Sequence, residues 1–222
     1  MSRDAAAALA ALRSAIDDEV ARNDRPAGSV TLVGVAKRQP LEVVAETIHA
    51  GLADVAENYL QEARAAFAAL PPVRRHFIGH LQTNKAKAVA ELFDVVQSVD
   101  SERAGLALAN AAERIGKRIT VLLQVNISPT ERFGCPPEDA PRLADALRAH
   151  AALQFDGIMA IGPLDQSGEE ISRAFALAAK TFDRVGGTTL SIGMSGDWRE
   201  AVRAGSTMVR VGTALFGGRI TA

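Results

Sequence analysis

Apolar and polar positions along the chain alternate between two periods. The N-terminal stretch places Leu9, Leu12, Ile16 and Val20 at helical spacing, which predicts one face of an amphipathic helix. Pro26, Ala27 and Gly28 break it. SVTLVGVAK follows, a continuous valine-rich run that suits a strand buried on both faces, as in a parallel sheet. Pro40 opens the helix LEVVAETIHAG, with Gly51 as its stop.

The same alternation repeats to the end. LADVAEN reads as strand two, followed by the helix LQEARAAFAAL up to Pro71 and Pro72. HFIGHL reads as strand three, and TNKAKAVAELF as its helix. DVVQSVD is strand four, and SERAGLALANAAERIG its helix. RITVLLQVNI is strand five; the polar loop SPTERFGCPPED and the helix APRLADALRAHAAL come next. FDGIMAIG is strand six with the helix ISRAFALAAKTFDRVG. TTLSIGM is strand seven with the short helix DWREAVRAG. STMVRVGTALFG is strand eight and its exit loop. Strands alternating with helices predict parallel pairing through right-handed crossovers. Eight strands predict one (β/α)₈ TIM-type barrel with an extra N-terminal helix, and a single domain over residues 1–222. An open, doubly wound sheet is the alternative that the pattern leaves standing.

Composition narrows the picture. The 222 residues are ordinary soluble globular material, and acids and bases nearly cancel. Neither a nucleic-acid surface nor a membrane surface is indicated. The N-terminus lacks the basic start and cleavage site of a signal peptide, and no apolar run approaches a membrane span. Cys135 is the only cysteine, so no intramolecular disulfide and no cysteine-rich zinc site can form. A reducing cytoplasm fits, and no metal-ligand cluster is visible.

In a barrel the chemistry sits where strands end. Lys37, Glu57 and Asn58, Gly79 and His80, Ser98, Asn126, the run Gly193, Met194, Ser195, and Arg210 with Gly212 and Thr213 fall at such ends. Lys37 is the most informative. The chain has five lysines against twenty arginines, and the other four lie in helices or at helix ends. An amine at the edge of an apolar interior is a candidate for a Schiff base with an aldehyde or ketone; a strand-end lysine can equally snorkel to water. The loops GMSGDW and GSTMVRVGTALFG supply glycine N–H groups and hydroxyls, which suit an anion such as phosphate held by Ser195, Gly212 and Thr213, with the short helix after Asp197 nearby. Ordinary turn chemistry has the same composition. Arg210, inside an apolar run, needs an acceptor: either a ligand, or a carboxylate such as Glu57 or Asp156. His49 and His150 read as surface or satisfied histidines, His76 as packing.

The segments LVGVAKRQP, ENYLQEA, HFIGHLQTNKAK, QSVDS, LLQVNIS with ERFG downstream, GIMAIGP and LSIGMSGDWREAVRAGSTMVRVGTALFG span nearly the whole chain. In this order they resemble the pyridoxal 5′-phosphate (PLP) homeostasis proteins, also called the YggS or PROSC family, whose fold is related to the N-terminal barrel of alanine racemase. The resemblance implies PLP held as a Schiff base on Lys37, phosphate held by Ser195, Gly212 and Thr213, and Arg210 facing the pyridine nitrogen. It also implies Asn58, His80 and Met194 lining the pocket. Two small departures stand near that wall: Ala56 where the family usually has glycine, and Ala36 where serine often precedes the lysine. ERFG, from Glu131 to Gly134, is expected over the mouth.

Alanine racemase needs a second, β-rich domain supplying a catalytic tyrosine; this chain ends just after strand eight, and Tyr59 is its only tyrosine. Two-base racemisation needs an acid and a base on opposite faces, so the expectation is a PLP carrier and regulator of vitamin B6 and amino-acid balance, not an enzyme. It would be a cytoplasmic monomer able to pass PLP to apo-enzymes. A weak PLP-dependent racemase or lyase, and a Schiff-base aldolase acting on a sugar phosphate, are the alternatives.

Overall fold

The computed structural model describes residues 4–128, 132–163 and 167–217. Eight parallel strands close into a barrel in sequence order, β1 pairing with both β2 and β8. The strands are β1 Thr31–Val35, β2 Asp54–Glu57, β3 Arg74–Phe77, β4 Val95–Val99, β5 Ile119–Val125, β6 Leu153–Ala160, β7 Thr189–Ser191 and β8 Met208–Val211. The helices are α1 Ala5–Arg22, α2 Leu41–His49, α3 Leu60–Ala69, α4 Ala86–Leu92 after a 3₁₀ turn at Thr83–Lys85, α5 Glu102–Arg114, α6 Ala140–Arg148, α7 Gly168–Val185, α8 Trp198–Arg203 and α9 Thr213–Phe216. The closed count removes the open-sheet alternative.

Two local differences have physical causes. Strand three begins at Arg74, not His76, and ends at Phe77. The charged pair Arg74 and Arg75 conceals it, because their heads stay at the surface while the backbone pairs with Asp54 and Val55. Gly79 and His80 therefore follow the strand. At the other end, the expected exit loop holds the short helix α9: Gly212 C=O accepts both the Leu215 and Phe216 N–H groups, and both side chains are buried.

The main core lies between the sheet and the helices. Helix α1 is part of it. Its stripe of Leu9, Leu12, Ile16 and Val20 is buried, and it packs against α2 on one side and α8 and α9 on the other. It thus lies over the β8–β1 seam, the place where an eighth crossover helix would be. No helix among the described residues is long and apolar enough to cross a membrane.

Candidate functional site

Strand alternation aims the site residues. Val33, Val35, Ala56, Ile78 and Met208 form a small apolar cluster inside the barrel. Residues two further along a strand point the same way, so Lys37 follows Val35, Asn58 follows Ala56, and Arg210 and Gly212 follow Met208. Together with Gln39, Met159, Ile161, Met194, Ser195, Gly196 and Thr213 they line a cavity of about 290 Å³ at the C-terminal ends of the strands. That is close to the small end of ligand sites, roughly 300–1,000 Å³.

The turn after β1 delivers Lys37. Ala36 N–H donates to Ala56 C=O at 3.0 Å and Gln39 N–H to Ala36 C=O at 2.9 Å. Arg38 between them has φ 56°, a left-handed conformation unfavourable for a residue with a side chain. Strain of order 1–3 kcal/mol persists where surrounding structure enforces it, often at ligand sites. Lys37 Nζ lies 5.4 Å from the Tyr59 ring centroid, and Tyr59 is 45% exposed. Its place in the sequence gives Tyr59 no role as a second base; the start of α3 places it beside the lysine.

The loop after β7 turns at Gly193, where φ is 96° and a Cβ would fall 2.6 Å from Ala201 Cβ. Glycine permits this turn. Met194 N–H then donates to Asp197 Oδ1 at 2.6 Å, and Gly212 N–H to Ser195 Oγ at 3.3 Å, joining the loops after β7 and β8. Burial pushes the Asp197 carboxyl above its ordinary range, against the Met194 hydrogen bond and the Arg210 charge. The expected helix after Asp197 is α8, whose first residue is Trp198.

Arg210 is buried, and burial pushes its guanidinium down to about 10, partly opposed by Asp197; it remains a cation at neutral pH. Nη1 donates to Ser191 Oγ at 2.6 Å and Ser191 C=O at 2.7 Å, and Nη2 donates to Ala160 C=O at 2.9 Å. Neither carboxylate considered for it from sequence is its partner. Asp156 accepts the Thr188 and Thr189 hydroxyls, and the buried Glu57 has Oε2 without a hydrogen bond. Burial pushes Glu57 up to about 7, with Glu62 adding to the effect and the Asn58 N–H and Lys37 opposing it.

Seven of the eight expected residues thus meet at one cavity: Lys37, Asn58, Met194, Ser195, Arg210, Gly212 and Thr213. His80 is not in its lining. It is exposed, its ring stacks on Phe133 at 4.0 Å between centroids, and Nδ1 lies 3.6 Å from Asp100 Oδ2. Phe133 lines a neighbouring space of about 480 Å³ with Gln124, Asn126 and Arg132, and Ile161 borders both. Of ERFG, Glu131 lies outside the described residues. Cys135 is buried beside β5, and burial together with Asp139 and Asp100 pushes its thiol up to about 12, so the nucleophilic thiolate is suppressed.

The alanine racemase N-terminal domain model matches residues 13–220. The pyridoxal phosphate homeostasis protein of Pseudomonas aeruginosa is 41% identical over 200 residues, covering 88% of this chain and 87% of that protein. The chain belongs to the pyridoxal phosphate homeostasis protein family. PipY of Synechococcus elongatus PCC7942, another chain of this fold, was solved with PLP bound. It is 36% identical, with TM-score 0.78, over 91% of this chain and all of PipY. Alanine racemase of Clostridium difficile 630 is 13% identical with TM-score 0.72; it shares the fold, and this chain spans 56% of its length.

The cavity fits the group that the family's name implies. Arg210 keeps Nε–H and its second Nη2–H without a protein acceptor among the described residues. Asn58 Oδ1 is buried without a hydrogen bond. Unpaired buried polar atoms on a cavity wall favour a polar ligand. An amine, a fixed cation and a glycine–hydroxyl cradle converge there.

Proposed function

We propose that the protein binds PLP at this cavity, attached to Lys37, and buffers it for vitamin B6 and amino-acid homeostasis without turning over a substrate of its own. PLP, when bound, supplies an aldehyde that condenses with an amine and a conjugated ring that accepts electrons. Lys37 provides the amine at the end of β1. Ser195, Gly196 and Thr213 would give the phosphate hydroxyl and backbone donors beside Gly212, whose own N–H is held by Ser195 Oγ, while Met159, Ile161 and Met194 would line the apolar part of the cavity. Arg210 would offer the ring nitrogen a hydrogen bond without giving up its proton, and an unprotonated ring would be a poorer electron sink for carbanion chemistry. His80 and Phe133 form a stacked pair at the rim. Residues 1–222 act as one domain and as a cytoplasmic monomer that releases PLP to apo-enzymes. The closed barrel, which leaves no free sheet edge for strand-to-strand pairing between copies, supports the monomer.

The observation that carries this reading is the convergence of Lys37 with the unused donors of Arg210 on one cavity. The test is optical. Mixing the protein with PLP should give a visible absorption band that Lys37→Ala abolishes, and an unchanged band in that variant would defeat the reading.

Tyr59, beside Lys37, favours one rival, a weak racemase or lyase. Alanine incubated with the loaded protein in deuterated water decides between them. The carrier leaves the α-proton in place, whereas a racemase exchanges it at a rate that falls in Tyr59→Phe.

A further inference from the structure

Beneath the cavity a chain of polar side chains crosses the barrel interior beside its small apolar cluster. Ser191 Oγ, which accepts from Arg210, donates to Gln97 Oε1 at 2.7 Å. Gln97 Nε2 faces His76 Nδ1 at 2.9 Å and Met208 Sδ at 3.3 Å. His76 Nε2 faces Asp54 Oδ1 at 2.8 Å. Arg210, Ser191, Gln97 and His76 are each 3% exposed or less, and they come from strands β8, β7, β4 and β3.

With His76 neutral, every bond takes one direction. A guanidinium only donates, so Ser191 Oγ accepts from it, and its own hydrogen points to Gln97 Oε1. The Gln97 oxygen must then face Ser191, and its NH₂ group faces His76. His76 Nδ1 therefore accepts, its proton sits on Nε2, and that proton goes to the Asp54 carboxylate, which only accepts. The groups facing His76 agree with a neutral ring: burial holds its pKa below the ordinary value, Arg74 on its own strand acts in the same sense, and Asp54 and Asp94 oppose. The chain runs one way, from a cation at the mouth to an anion at the opposite end of β2.

We propose that His76, Gln97 and Ser191 are positioning residues for Arg210, a one-way hydrogen-bond chain that fixes its guanidinium so that Nε–H and the second Nη2–H face a ring acceptor in the cavity. The proposal rests on the PLP reading above. A chain with each hydrogen committed cannot rotate one member without leaving a buried donor or acceptor unpaired. The orientation of Arg210 is thus set by residues that never touch the ligand.

The test has two arms. In the ligand-free full chain, ¹⁵N NMR of the histidines should show His76 neutral with its proton on Nε2. In Gln97→Glu the side chain accepts from Ser191 and also needs a donor on His76, so His76 should become doubly protonated. A wild-type proton on Nδ1, or no change in Gln97→Glu, overturns the wiring. With PLP as the probe, Gln97→Met should weaken binding about tenfold and shift the visible band, whereas Gln97→Glu should stay within about threefold of wild type. A Gln97→Met protein that loses thermal stability but keeps wild-type affinity and spectrum overturns the positioning role. Should Gln97→Met fail to fold, the tautomer of wild-type His76 and its response in Gln97→Glu still decide. A wild-type chain that takes up no PLP defeats the functional reading, while the NMR arm continues to judge the chain.

Discussion

Glu57, the neighbour of the cavity residue Asn58, shows how a single residue sets a cost. It is 3% exposed, its Oε2 has no partner, and its carboxyl is pushed up to about 7, chiefly by burial. In the unfolded chain a glutamate titrates near about 4.3. The folded state therefore holds the proton to higher pH than the unfolded state does. The stability this contributes is complete below about pH 4 and is lost as pH rises through about 7. Glu57→Gln removes the titration, so its stability relative to wild type should grow between pH 5 and pH 8 by on the order of 3 kcal/mol. Urea unfolding of both ligand-free proteins at the two pH values checks this, and parallel curves would contradict it. Lys37 was legible as a functional residue because it closes an apolar run. Glu57 was visible only as a strand-end acid, since no local pattern reports that a carboxylate is buried with one oxygen left without a hydrogen bond.

Among the elements, the ends of β2 and β3 give the cavity wall Asn58 and Ile78. A Cβ at Gly79 would fall 2.0 Å from Asn58 C=O, so the backbone after β3 lies directly on the residue that ends β2. Gly79→Ala should push Asn58 out of the cavity wall. We expect a loss of about 2–3 kcal/mol in stability, typical of overpacking, together with weaker PLP uptake, read by thermal unfolding and by titration of the visible band. Unchanged uptake would show that Asn58 is dispensable. The order of elements was legible because helical and strand periods alternate cleanly along the chain. The start of β3 was not, because Arg74 and Arg75 read as surface while their backbones pair. The interior chain was not legible either: His76, Gln97 and Ser191 lie far apart in sequence, and only barrel closure brings them within hydrogen-bond distance.

At the scale of the whole molecule, the chain closes its helical layer with its own beginning. Helix α1 covers the β8–β1 seam, and Glu19 ties it to α8 through Arg203 at 2.9 Å. Ile16, 3% exposed within that contact, is a core residue of the barrel. Ile16→Ala should cost about 2–4 kcal/mol in urea unfolding, while a change near zero would mean that α1 is an appendage. The closed layer makes the barrel a rigid frame whose mouth converges on one amine. Borohydride reduction of the PLP-loaded protein, followed by peptide mass mapping, tests that most directly. The account predicts the reduced cofactor on Lys37 and on no other lysine; a label on Lys85, Lys87, Lys117 or Lys180 with Lys37 unmodified would contradict it.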